Sequence, residues 1–103
     1  MENLAFICHS SSDAAIANKI VVELEKAGIA CWIAPRNIQF GTTYAAAIVQ
    51  GIKKSNLFIF IFSKSANQSD AVINEIENAN ALKIPIIPFK VEKEQYSDSL
   101  DIT

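Results

Sequence analysis

Glycine is scarce in this chain. Only Gly28, Gly41 and Gly51 occur in 103 residues. They lie too far apart for a G-x-G-x-x-G turn or a P-loop, whose glycines let backbone N–H groups close on a phosphate. The commonest nucleotide sites of α/β proteins are thereby excluded. No serine stands in a G-x-S-x-G elbow either. A single histidine and two cysteines without a C-x-x-C pair argue against a metal site. Cys8 and Cys31 each fall inside an apolar run, where a free thiol serves as a small hydrophobe. Nine basic residues against eleven acidic ones leave a net charge of −2. That is the wrong sign for a nucleic-acid-binding face and for a polybasic membrane contact. No apolar run approaches the roughly 20 residues that span a bilayer. The opening Met-Glu-Asn-Leu lacks the basic start of a secretion signal. The expectation is a cytoplasmic domain that binds neither nucleic acid nor membrane directly.

Half the residues are apolar, enough for one small core over residues 1–103. A chain this short has little margin and often leans on a partner. Leu4 to Cys8 is an apolar run and reads as a first strand. Ser10 to Asp13 then suits a tight loop and a helix cap. Ala17, Ile20, Val21 and Leu24 recur at helical spacing in a first helix ending near Ala27, and Gly28 is a natural stop. Ile29 to Ile33 reads as a second strand and Thr42 to Lys54 as a second helix, with Tyr44, Ala47, Ile48 and Ile52 inward. Leu57 to Phe62 is unbroken and apolar, as in a strand buried on both faces. Ser63 to Gln68 reads as polar loop and Ser69 to Leu82 as a third helix. Ile84 to Phe89 reads as a fourth strand whose Pro85 and Pro88 point to an edge or a strained end.

This alternation predicts a parallel sheet with right-handed crossovers and helices on both faces. The fold class is a flavodoxin-like three-layer α/β sandwich with strand order 2-1-3-4. Val91 to Thr103 is polar and offers no fifth strand. The chain therefore reads as the N-terminal part of a longer protein.

Ligands of such sheets sit beyond the carboxyl ends of the strands, where the order switches. That point lies between strands 1 and 3, so loops 9–13 and 63–68 should flank it, with Arg36 and Phe40 within reach. Cys8 and His9 pair on paper, but neighbours on a strand face opposite ways. On the third helix an apolar stripe of Val72, Ile73, Ile76 and Ala79 is bordered by Glu75 on one side and Glu77 on the other. Spacing does not choose between them.

Ala5-Phe6-Ile7-Cys8-His9-Ser10-Ser11-Ser12-Asp13 resembles the first-strand box of bacterial Toll/interleukin receptor (TIR) domains. Gly28 to Ile38 is similar to the box around their second strand and the start of their BB loop. Gly41 with Tyr44, Ala47 and Ile48, then Ser69 to Ala79, then Phe89, continue the pattern over nearly the whole chain. Many prokaryotic TIR domains cleave NAD⁺ and some cyclise the product. The resemblance implies an NAD⁺ glycohydrolase or ADP-ribosyl cyclase of an anti-phage defence protein, with NAD⁺ as substrate and no cofactor or metal. It places the family's glutamate at Glu75. Nicotinamide leaves a cationic pyridinium as a neutral amine, so the second carboxyl of ordinary glycosidases is not needed. Ser10 and Ser11 would line the pocket. Arg36 would pair with a phosphate or make a surface ion pair. Phe40 would stack on a base or pack on a neighbouring subunit, and Tyr44 would form core or pocket wall. Self-association would run through the BB loop, Pro35 to Gly41, and a fused sensor or effector domain would follow Thr103. Two features depart from the family. Ala71 stands where catalytic members often carry an aromatic, and their C-terminal strand and helix are missing. An adaptor or host-mimicking interaction domain is the alternative.

Overall fold

In a computed structural model, residues 3–91 are described. Four parallel strands, β1 (Leu4–Cys8), β2 (Ala30–Trp32), β3 (Leu57–Phe62) and β4 (Ile86–Lys90), form one sheet in the order β2-β1-β3-β4. A single 3-10 turn, Ser11–Asp13, leads into helix α1 (Ala14–Lys26). Then come α2 (Tyr44–Lys54), a four-residue α3 (Lys64–Asn67) and α4 (Asp70–Ala81). The expected fold class and strand order hold. The tail beyond Val91, where a fifth strand was sought, lies outside the described residues. No helix among the described residues is long and apolar enough to cross a membrane.

The two sheet faces separate by strand alternation. Ala5, Ile7, Cys31, Ile33, Ile59 and Ile61 pack with Ala17 and Val21 of α1. Phe6, Cys8, Trp32 and Phe58 pack on the other face with α2 and α4. Phe6 pairs in register with Trp32 on one side and Phe58 on the other. Their rings stack at 5.1 and 5.3 Å with interplanar angles of 10° and 9°, close to the roughly 4.8 Å spacing of strands. β3 is buried on both faces, as its unbroken apolar run predicts. Both cysteines are free and buried.

Two glycines answer particular geometric needs. Gly28 ends α1 in the left-handed region at φ 91°. Gly51 lies on α2 against the Trp32 indole, where a β-carbon would stand 2.6 Å from Cε2. Its bareness lets α2 press onto the ring stack.

Three expectations need correction. The segment 63–68 is not plain loop. The Ser63 hydroxyl accepts from the Ala66 N–H at 3.0 Å and so starts the short α3. Ile73 is exposed at 43 %, while Val72, Glu75 and Ala79 are buried. At 100° per residue those three, with half-buried Ile76, span a single inward arc, so α4 is rotated toward Glu75. Tyr44 is not inward. It is 57 % exposed in the first turn of α2, which is capped by the Thr43 hydroxyl accepting from Ala46 N–H at 3.2 Å.

The carboxyl ends of β1 and β3 are tied by Asp13, which is only 3 % exposed. Its Oδ2 accepts from the Ser10 hydroxyl at 2.9 Å and from the Ser63 hydroxyl. A polar latch thus bridges the two strand ends where the crevice is expected.

Asp13→Ala would strip both hydroxyls of their acceptor in a buried setting, and is expected to cost about 2–3 kcal/mol. Asp13→Asn keeps an acceptor oxygen and should cost less. Denaturant unfolding measures both, and equal stability of Asp13→Ala would refute the latch. Gly51→Ala sets a helix-propensity gain of about 1 kcal/mol against overpacking of about 1–3 kcal/mol. The indole is fixed by its stacking partner, so a lower Tm is expected. A raised Tm would show that the ring yields.

Candidate active site

A cavity of about 290 Å³ opens at the carboxyl end of the sheet on the α2–α4 side. His9 and Ser11 border it from the segment after β1, Ala34 and Pro35 from the segment after β2, Tyr44 and Ile48 from α2, and Glu75 from α4. Phe6 of the ring stack forms part of its wall. A more open groove of about 450 Å³ runs between α2 and α4 and shares Tyr44, Ile48 and Glu75 with the cavity. Glu75 thus stands at the junction of two hollows. Ala71 lines the groove, and its small side chain leaves that space open. Ser63 lines neither hollow; its hydroxyl is bound to Asp13.

Helix α4 brings Glu75 here through its own cap and stripe. The Ser69 hydroxyl accepts from the Val72 N–H at 3.2 Å, fixing the helix start. Val72 and Ala79 then pin the inward face on either side of Glu75. Glu75 is 8 % exposed, whereas Glu77 is exposed. Burial pushes the Glu75 carboxyl above its ordinary value, while the neighbouring Cys8 thiol and His9 ring pull it partway back. A thiol is a weak donor. Burial and the adjacent carboxylate in turn push the Cys8 thiol up, so it stays protonated and unreactive. The Tyr44 hydroxyl is raised by burial and by the Glu75 charge.

The other expected site residues separate. Ser11 reaches the cavity, but Ser10 is buried in the Asp13 latch. Arg36 does not reach it. Its guanidinium meets the Glu25 carboxylate at 2.8 and 3.3 Å, donates to the Cys31 carbonyl at 2.9 Å and to Asn37 Oδ1 at 3.0 Å. Glu25 is held below the usual carboxylate range by this partner. Arg36 and Glu25 form a partly exposed ion pair. Phe40 is fully exposed and lines neither hollow. His9 is the residue that strand alternation alone does not find. It lies one position past the end of β1, so the alternation rule no longer fixes its direction.

No curated protein sequence shows significant similarity to the chain. Solved structures do share the fold. The TIR domains in the activated Roq1 resistosome directly recognizing the pathogen effector XopQ superpose with a TM-score of 0.76 at 15 % identity, over 86 % of this chain and 57 % of that one. The TIR domain of the Toll-related receptor TRR-2 from Hydra magnipapillata gives 0.72 at 24 % identity, over 92 % and 79 %. A metazoan TIR-STING receptor from C. gigas gives 0.72 at 24 %, over 84 % of this chain and 30 % of that one. The chain therefore spans little more than half the length of the Roq1 chain. The family model described as TIR domain matches residues 5–102, nearly the whole sequence, and the chain belongs to the TIR-domain family.

Proposed function

We propose that this TIR domain cleaves the bond between nicotinamide and ribose in NAD⁺, with Glu75 as the catalytic carboxylate. The observation that carries the reading is a carboxylate only 8 % exposed that borders a cavity, with burial pushing its pKa above the ordinary value. An acid held this way costs stability, and perturbed carboxyls in clefts cluster at functional sites. Ionised, it can hold the ribose hydroxyls and stabilise the positive charge that grows on the ribose carbon as neutral nicotinamide departs. Release of ADP-ribose and closure to a cyclic isomer both pass through that same charge. No metal or cofactor enters this chemistry.

In this reading the domain acts in an anti-phage defence protein, and a sensor fused to it brings copies together. The BB loop, Pro35 to Gly41, of one copy would then close the cavity of the next. Pro35 already borders the cavity. The assembled Roq1 resistosome and the fused TIR-STING receptor are precedents for these two arrangements. Head-to-tail contacts of this kind propagate into filaments. One feature favours a second reading, a non-catalytic adaptor. Phe40 stands fully exposed in that loop, ready to dock on another protein whether or not Glu75 reacts.

NAD⁺ loss, followed by nicotinamide release at high protein concentration or under crowding, separates the two. Glu75→Gln is expected to lower turnover by at least about a hundredfold with the fold intact. Mutant turnover equal to the wild type would sink the assignment, and no wild-type turnover in the assembled state would favour the adaptor. Activity needs Glu75 ionised, so it should fall as the pH drops through a value above the ordinary 4.5.

Stability should run the opposite way. Between the ordinary value and the raised one, the folded protein holds a proton on Glu75 that the unfolded chain releases. That stabilisation is complete below the ordinary value and is lost as the pH rises through the raised one. Glu75→Gln should therefore have a higher Tm than the wild type at neutral pH, with the difference vanishing in acid. Scanning calorimetry at both pH values checks this, and a Tm difference independent of pH would contradict it.

A further inference from the structure

His9 borders the cavity together with Glu75, yet neither its neighbours nor its spacing gives it a structural duty beyond one bond. That bond settles its chemistry. The His9 Nδ1 lies 2.7 Å from the Ser10 carbonyl oxygen. A carbonyl only accepts, so Nδ1 carries the hydrogen and donates. In the neutral ring the other nitrogen, Nε2, is then a bare acceptor. Among the described residues no hydrogen bond engages Nε2. Ser10, whose carbonyl fixes the tautomer, is itself held by the Asp13 latch. The ring is thus held through Nδ1 and keeps Nε2 as an unengaged acceptor on a residue that borders the same cavity as Glu75.

We propose that His9 is a further catalytic residue, the acceptor of the proton from the water that traps the ribosyl cation. This rests on the reading of Glu75 as the group that stabilises that cation. As the bond from ribose to nicotinamide breaks, its electron pair goes to the pyridine nitrogen and nicotinamide leaves neutral. A lone pair of the water oxygen forms the new bond to the ribose carbon. The water's proton passes to Nε2 and then to solvent, and Glu75 remains ionised throughout. The two residues divide the work: Glu75 stabilises the cation and His9 takes the proton of the water that traps it. A ribose hydroxyl attacking within the same molecule would lose its proton by the same route.

The test uses the full chain under assembling conditions and separates His9's chemistry from its bond to Ser10. In His9→Asn the side-chain amide N–H occupies the place of Nδ1–H and can keep the Ser10 contact, but nothing replaces Nε2. Its Tm and circular dichroism should match the wild type, while NAD⁺ turnover falls about a hundredfold, the lower end of what a positioned base contributes. His9→Ala should be equally slow and regain turnover when imidazole is added. Glu75→Gln should gain nothing from imidazole. Wild-type turnover by His9→Asn, or an inactive His9→Ala that imidazole does not restore, would overturn the role of His9 and leave that of Glu75 standing. A wild-type protein without turnover would overturn the glycohydrolase reading and the role of His9 with it.

Discussion

Three aromatic rings set the geometry of the functional face. Trp32, Phe6 and Phe58 come from three neighbouring strands, and their stacking distances are close to those of the strands themselves. The stack therefore fits an unstrained sheet and resists shear between β2, β1 and β3. Such pairs contribute about 0.5–1.5 kcal/mol beyond their area burial, but their larger effect is positional. α2 can approach only because Gly51 is bare where the indole lies. With α2 fixed, Tyr44 and Ile48 stand opposite α4, and the cavity between them has Phe6 as part of its wall. The core and the candidate site thus share a residue.

Against that rigid face, Glu75 is the position where stability is given up. The helix periodicity that buries Val72 and Ala79 buries Glu75 with them. An apolar residue there would suit the core better, since the carboxylate loses hydration on burial. Asp13 makes an instructive contrast. It is buried more completely, yet two hydroxyls satisfy it. One buried acid closes the structure and the other is left facing a cavity. Burial alone does not mark a catalytic group; the quality of the partners does.

Much of the fold was legible in residue patterns. β1 and β3 run as the apolar segments 4–8 and 57–62 indicate, because a strand buried on both faces needs no alternation to be recognised. Strand order followed from the alternation of strands and helices. Boundaries set by capping were less legible. Thr43 and Ser69 each take the cap, so α2 and α4 start later than the apolar pattern suggests. The site was legible only in part. Spacing left Glu75 and Glu77 tied, because the stripe was drawn through Ile73, and rotation of α4 against α2 is a tertiary effect. The Asp13 latch joins residues 50 positions apart, and no local pattern carries that information. The cavity that Glu75 borders lies on the α2–α4 side.

The segment after β2 shows how one loop can be both fixed and available. Arg36 spends its donors on Glu25, Cys31 and Asn37, and Asn37 Oδ1 also accepts from the Ile33 N–H at 3.0 Å. Exposed ion pairs contribute little to stability, about 0–1 kcal/mol. Here the bidentate geometry matters more for shape, since it ties the loop back to α1. With its cation occupied, the loop has little charge left to offer a phosphate or an acidic partner. What it presents outward is Phe40. A fully exposed aromatic on a tethered base loses little conformational freedom on docking, which favours association. If this loop docks on another copy as proposed above, apolar burial rather than ion pairing would govern that contact.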